Sequence, residues 1–246
     1  MQEQILAILD SIDSFVWSQN LLIPLLLGTG VLLTLRFLFI QVRHFPHAVA
    51  VVMGRYDNPD DQGEIKHFQA LSAALSATIG TGNIAGVATA IAAGGPGAVF
   101  WMWMTALFGM CLKFVECTLA MKYRVVHEDG TVSGGPMYYL EKGLGQKWLG
   151  VLFALFAVIA SFGIGNMTQS NSLAEATERV RFLNALMTPD QIHMLAGLVA
   201  AVMVAMVILG GIKRIGRVAA VLVPFMAVIY VGGALFIFLS NYQAVP

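Results

Sequence analysis

Two short strings in this chain place polar groups and glycine where an apolar membrane segment would not. The first is Thr78-Ile79-Gly80-Thr81-Gly82-Asn83, in the middle of an apolar stretch that runs from Ser72 to Ala93. Each glycine costs a helix roughly 1 kcal/mol relative to alanine. Broken backbone at membrane depth persists only where protein buries it or where it lines a cavity. An unwinding at Gly80 to Gly82 frees carbonyls that then act as hard oxygen ligands for a small cation. The amides opening the next half-helix, near Asn83, attract an anion together with the helix dipole. A spanning segment interrupted in this way points to a transporter rather than an anchor. A second reading of the same residues stands beside it. Ser72, Ser76 and Gly80 recur at i+4, as a small-residue face for close helix packing does.

The second string, Phe162-Gly163-Ile164-Gly165-Asn166-Met167-Thr168-Gln169, puts two amides into the outer half of another apolar run. Inside a membrane such side chains need a partner or water. Asn166 and Gln169 lie nearly one turn apart on a similar face. They are ligand-binding candidates, or else they cap the helix end and bond a neighbour. Lys113 and Glu116 sit at i, i+3 in a third apolar run and can pair on one face. That pair reads as a structural or gating contact near the cytoplasmic side, or as part of ion coupling. Trp101 and Trp103 open the same run as an aromatic belt. Cys111 and Cys117 fall on different helix faces and read as small packing residues. The five histidines lie in loops or at span ends without metal-ligand spacing.

These strings need long apolar elements to hold them. Of the 246 residues, 58% are hydrophobic and only 11% charged, against about 25% charged in a soluble domain. Mean hydropathy is +0.76. The net charge is zero, and no basic patch suits nucleic acid. At about 20 apolar residues per crossing, six spans are expected near Leu21–Phe39, Phe68–Ala93, Ala98–Met121, Trp148–Ser170, Ile192–Gly211 and Val218–Ser240. With the N-terminus outside, the 14 Lys and Arg residues fall into three cytoplasmic loops, except Arg179, Arg181 and the intramembrane Lys113. Basic residues favour the inside, so this topology is the expected one. Phe45–Met53 reads as a helix lying on the cytoplasmic surface, and Ser172–Met187 as an outer surface helix. Pro136 suits the first turn of a short helix, which Gly143 and Gly145 end. The acidic N-terminus, with Glu3, Asp10 and Asp13, is no cleavable signal peptide.

Three stretches carry a family resemblance. Gly94-Gly95-Pro96-Gly97-Ala98-Val99-Phe100-Trp101-Met102-Trp103-Met104-Thr105-Ala106-Leu107-Phe108-Gly109 resembles the signature of the alanine/glycine:cation symporters, the sodium:alanine symporter family of amino-acid carrier proteins. Thr78–Ile84 and Ser133-Gly134-Gly135-Pro136-Met137-Tyr138-Tyr139-Leu140-Glu141 are similar to further family blocks, and Gly165–Asn171 is a shorter fourth. The resemblance implies an all-α polytopic membrane protein of LeuT type, built from two inverted five-span repeats. On that pattern residues 1–246 form one transmembrane domain. Residues 1–40 supply an accessory first span and 68–240 the first five-span repeat, while the second repeat is absent.

The resemblance also implies a function: symport of a small neutral amino acid, alanine or glycine, coupled to Na+ without an organic cofactor. Such a protein is a multi-pass component of the cell (inner or plasma) membrane, with the lipid bilayer and its substrate as partners. Carried over residue by residue, Gly80, Thr81 and Gly82 cradle the substrate carboxylate, and Asn83 offers a side-chain oxygen near ion and substrate. Gln169, and less directly Asn166, bind the amino-acid headgroup. Sodium is held mainly by backbone oxygens at Ser76, Thr78 and Ile79, together with Asn83. The alternative is a truncated, non-transporting half that requires a missing C-terminal half of five more spans. An intramembrane enzyme finds no support, since the chain has no Ser/His pair, no His-Glu-x-x-His string and no paired membrane aspartates.

Overall fold

The computed structural model describes residues 2–17, 21–58 and 63–241. Helices dominate: α1 (Gln2–Val16), α2 (Leu22–Arg36), α3 (Ile40–Arg43), α4 (Phe45–Val52), α5 (His67–Thr78), α6 (Thr81–Gly94) and α7 (Gly97–Lys122). A small hairpin, β1 (Val125–Val126) with β2 (Val132–Ser133), precedes α8 (Pro136–Lys142) and α9 (Lys147–Phe162). A π-helical turn over Gly163–Met167 leads without a break into α10 (Thr168–Glu178), followed by α11 (Arg181–Asn184), α12 (Pro189–Ile208) and α13 (Gly211–Ser240). Among the described residues, four helices are long and apolar enough to cross a membrane, and the bent pair α5–α6 makes a fifth crossing if taken as one span. The leucine and phenylalanine side chains of these helices are largely exposed: Leu155, Phe156 and Ile159 on α9 each stand more than half open. Apolar surface turned outward on this scale belongs in hydrocarbon, so this is an all-α membrane protein.

Several expected boundaries move, each for a local reason. The span expected over Leu21–Phe39 is a helix of only 15 residues, about 22 Å long. It stops because Leu38 and Phe39 take the left-handed conformation, at φ 52° and 55°, where a side chain is disfavoured. The fourth span does not end at Ser170. The π turn carries it on to Glu178, so Ser172–Met187 is not a separate surface helix, and only Arg181–Asn184 forms a further helical turn. The last helix starts at Gly211 (φ +65°), which places Lys213, Arg214 and Arg217 within it rather than in the preceding loop. Phe45–Val52 is helical, and Pro136 opens α8 directly after Gly135 at φ 120°, a conformation glycine adopts freely.

The chain forms two compact units. In the first, comprising Met1–Val49, Val87–Val125 and Ser133–Val151, α2 packs along α7. A Cβ on Gly30 would lie 3.1 Å from that of Phe108, so the missing side chain allows the close approach. Thr34 and Cys111 are fully buried, while Cys117 is exposed. Phe37 meets Phe114 edge to face at 6.1 Å, and Gln41 Nε2 donates to the Leu107 carbonyl at 3.3 Å. The second unit comprises Ala50–Gly86, Val126–Val132 and Leu152–Pro246. There α13 packs on α5 through a stripe of Gly216, Ala219 and Val223, all buried, with Ser72 buried on α5. Ile192 on α12 and Ala174 on α10 are buried where those two helices pack.

Candidate functional site

The interruption lies within the second unit and is tighter than the glycine spacing suggests. α5 ends at Thr78, Ile79 is extended at φ −81° and ψ 105°, and α6 begins at Thr81. The two helix axes differ by 45°. Only Ile79 and Gly80 are non-helical, so Gly82 and Asn83 belong to the first turn of α6 rather than to unwound chain. The expected start near Asn83 is corrected to Thr81, because Asn83 N–H already bonds the Gly80 carbonyl at 3.1 Å and closes the first turn.

A helix leaves its last four carbonyls and first four amides without helical partners. At the end of α5 those carbonyls include Ser76 and Thr78, with the cap residue Ile79 following directly. The Ser76 and Thr78 hydroxyls donate back to the Ala73 (2.7 Å) and Ala74 (2.8 Å) carbonyls, which uses their hydrogens and leaves oxygen lone pairs beside the free backbone carbonyls. Ser76 is exposed and Ser72 buried. The packing and ligand readings therefore divide by position: Ser72 takes up helix packing, and Ser76 stays available.

Gln169 comes to the same point from 88 residues away. Its Oε1 accepts the Thr81 N–H at 3.4 Å, so a carboxamide oxygen stands against the first free amide of α6. Gly80 makes room for it, since a Cβ there would lie 3.0 Å from Gln169 Nε2. Asn166 does not join them: its Oδ1 accepts the Ser170 hydroxyl at 3.0 Å. The π turn separates these two roles. Thr168 N–H bonds the Gly163 carbonyl, an i→i+5 closure that inserts one residue and turns the following face by about 100°. Sequence spacing alone put both amides on a similar face. The pair Gly163 and Gly165 was the available signal for a distorted turn, but a π turn carries no mark of its own.

No Asp, Glu, Lys or Arg occurs between Lys66 and Lys113, so the break offers backbone dipoles and amides rather than side-chain charge. In the first unit Lys113 Nζ bonds Glu116 Oε2 at 2.9 Å, with both side chains well exposed. Tyr139 on α8 lies close enough to feel the pair. Burial holds its hydroxyl above the usual tyrosine range and the Glu116 charge adds to that, with Lys113 opposing. In the second unit His193 Nε2 meets Glu178 Oε2 at 2.8 Å and ties α12 to the end of α10. Sequence reading passed over that contact because 15 residues and a turn separate the two.

The family model described as the sodium:alanine symporter family matches residues 2–246. The chain is similar to the sodium/alanine symporter AgcS of Methanococcus maripaludis, at 50% identity over 239 residues, which is 96% of this chain and 51% of AgcS. An uncharacterised transporter of Haemophilus influenzae is 50% identical over 241 residues, 98% of this chain and 50% of its own length. The probable sodium/glutamine symporter GlnT of Bacillus subtilis is 40% identical over 247 residues, covering 100% of this chain and 49% of GlnT. The chain thus spans about half the length of the curated relatives it matches.

Proposed function

Since the chain belongs to the sodium:alanine symporter family, we propose that its protein carries a small neutral amino acid across the cell membrane, driven by sodium. Alanine or glycine is the proposed substrate. The observation that carries this reading is the contact at the break, where the Gln169 carboxamide meets the Thr81 amide over a side-chain-free Gly80. A neutral, hydrogen-bonding break edged by backbone groups suits a zwitterion. Its carboxylate takes the Gly82 amide and displaces the Gln169 oxygen from the Thr81 N–H, with Gly80 keeping the approach open, and the freed Gln169 carboxamide holds the headgroup. Asn166 contributes less directly, through Ser170.

Sodium takes the backbone oxygens of Ser76, Thr78 and Ile79, with the Asn83 side-chain oxygen near both ion and substrate. Ion binding at the end of α5 stabilises the bent backbone and so pre-organises the carboxylate site, a positive coupling between the two ligands. The absence of any carboxylate between Lys66 and Lys113 supports sodium over proton coupling. The architecture we propose is a single transmembrane domain of LeuT type, with an accessory span in residues 1–40 and a five-span repeat in 68–240. The basic residues support a topology with the N-terminus outside.

The test is uptake of labelled alanine by vesicles expressing the longest reading frame that contains these residues, with and without an inward sodium gradient. Sodium-dependent accumulation that Gln169→Ala lowers about fivefold at limiting alanine is expected. Uptake indifferent to sodium, or indifferent to Gln169, would overturn the proposed ion or the proposed residue respectively.

A further inference from the structure

We infer that α1 lies flat in the membrane interface, with Ile8, Leu9, Ile12 and Phe15 sunk among lipid chains. Helical spacing places these four on one face, at i, i+1, i+4 and i+7, and Asp10, Ser11 and Ser14 on the other. Among the described residues nothing covers the apolar face: Ile8 is 60% exposed, Leu9 and Ile12 54%, and Phe15 67%. On the polar face the serine hydroxyls are satisfied along the helix, Ser11 on the Ala7 carbonyl and Ser14 on that of Ser11.

Position in the chain identifies the occupant as lipid. α1 ends at Val16 and the apolar α2 begins at Leu22, so the linking residues hold the two within about 20 Å. The first basic residue among these segments, Arg36, is at the far end of α2, so the Leu22 end of α2 is directed toward the opposite membrane face. A helix tethered there with a continuous apolar face meets the acyl boundary before any other surface. Trp17, 63% exposed at the junction, is the residue type that anchors at headgroup level. Most interfacial helices use Lys and Arg to reach anionic lipid. This one carries acids instead, so its attachment is hydrophobic and independent of anionic headgroups. The inference rests on the membrane character of the chain and not on the proposed substrate or ion.

Spin labels test it in the full chain, reconstituted in phosphatidylcholine vesicles. The exposed Cys117 is replaced by serine, the buried Cys111 is kept, and single cysteines are placed at Leu9, Ile12, Ser11 or Ser14. Labels at Leu9 and Ile12 should be accessible to oxygen and several-fold less accessible to a water-soluble nickel chelate than labels at Ser11 and Ser14. That pattern should survive both dilution into more lipid and addition of phosphatidylglycerol. Equal nickel access on both faces would place α1 in water. Protection from both reagents would mean a protein partner, a second copy if dilution relieves it. Either result overturns the inference. Amide exchange over residues 4–16 of the unsubstituted chain in nanodiscs guards against label artefacts, since exchange at the unprotected rate would overturn it as well.

Discussion

Gly80 acts through the atom it lacks. Its open side admits the Gln169 carboxamide to the Thr81 amide, and a methyl group there would press on Gln169 Nε2 at 3.0 Å. The far end of a glutamine is flexible, so Gly80→Ala should push the side chain aside rather than unfold the helix. At about 1 kcal/mol for a hydrogen bond, Gly80→Ala and Gln169→Ala should each weaken sodium-dependent alanine binding by roughly fivefold. Because both act on one contact, the double variant should be little weaker than the worse single one. Titration calorimetry on the purified variants checks this, and additive losses would mean the two residues serve the ligand separately. Asn83→Ala should also lower alanine affinity, and unchanged affinity and sodium dependence would remove Asn83 from the site. Both strings were legible as chemistry from residue type alone, amides and glycines inside apolar runs. Their meeting across 88 residues was not, because pairing at that separation is decided by helix packing.

Among the elements, α8 and α9 show how tightly the connection after the hairpin is built. A Cβ on Gly150 would stand 2.7 Å from the Met137 carbonyl, and backbone cannot yield as a side-chain tip can. Gly150→Ala should therefore destabilise the protein by about 1–3 kcal/mol, as overpacking does, seen as a lower midpoint of thermal unfolding in detergent. The hairpin turn offers a pH-dependent counterpart. The Asp129 carboxylate accepts the Thr131 hydroxyl at 2.7 Å and its N–H at 2.9 Å, and these bonds hold its carboxyl below the usual aspartate value, the hydroxyl contributing most. A depressed pKa in the folded state stabilises the turn above the unfolded value, and that contribution is lost as pH falls through the folded one. Thr131→Val should move the Asp129 midpoint up toward its ordinary value, measurable by carboxyl-carbon NMR titration. Helix positions followed from apolar length and the Pro136 start from the fit of proline to a first turn, while α12 starts ahead of the expected Ile192 because Thr188 caps it. Helix ends were less legible where an unusual backbone state intervened, as at Leu38–Phe39 and in the π turn.

At the scale of the whole protein, coupling is a matter of energy. Under the proposed coupling, one sodium ion entering down a potential of 100 mV gains about 2.3 kcal/mol, and a tenfold gradient adds about 1.4 kcal/mol. Together they support a several-hundredfold substrate gradient. Collapsing the sodium gradient with a sodium ionophore, while the proton gradient is kept, should abolish alanine accumulation in energised vesicles. A protonophore that spares the sodium gradient should leave most of it. The reverse outcome would assign the coupling to protons, with Glu116 the intramembrane acid to examine.

What the sequence determined by itself was the solvent and the kinship. An excess of apolar residues over charge places the helices in lipid whatever their arrangement, and the Gly94–Gly109 signature names the family without any contact being known. Composition and local strings suffice there because hydropathy and backbone propensity are properties of short segments. The tertiary structure decided which polar groups meet. It set Ser72 into the packing with α13 and left Ser76 open, it turned Gln169 toward the break through one extra residue in a π turn, and it kept Asn166 on Ser170. These outcomes depend on how helices distant in the chain rotate and approach, and side-chain volume at the contacts governs that, as the bare faces of Gly80, Gly150 and Gly216 illustrate.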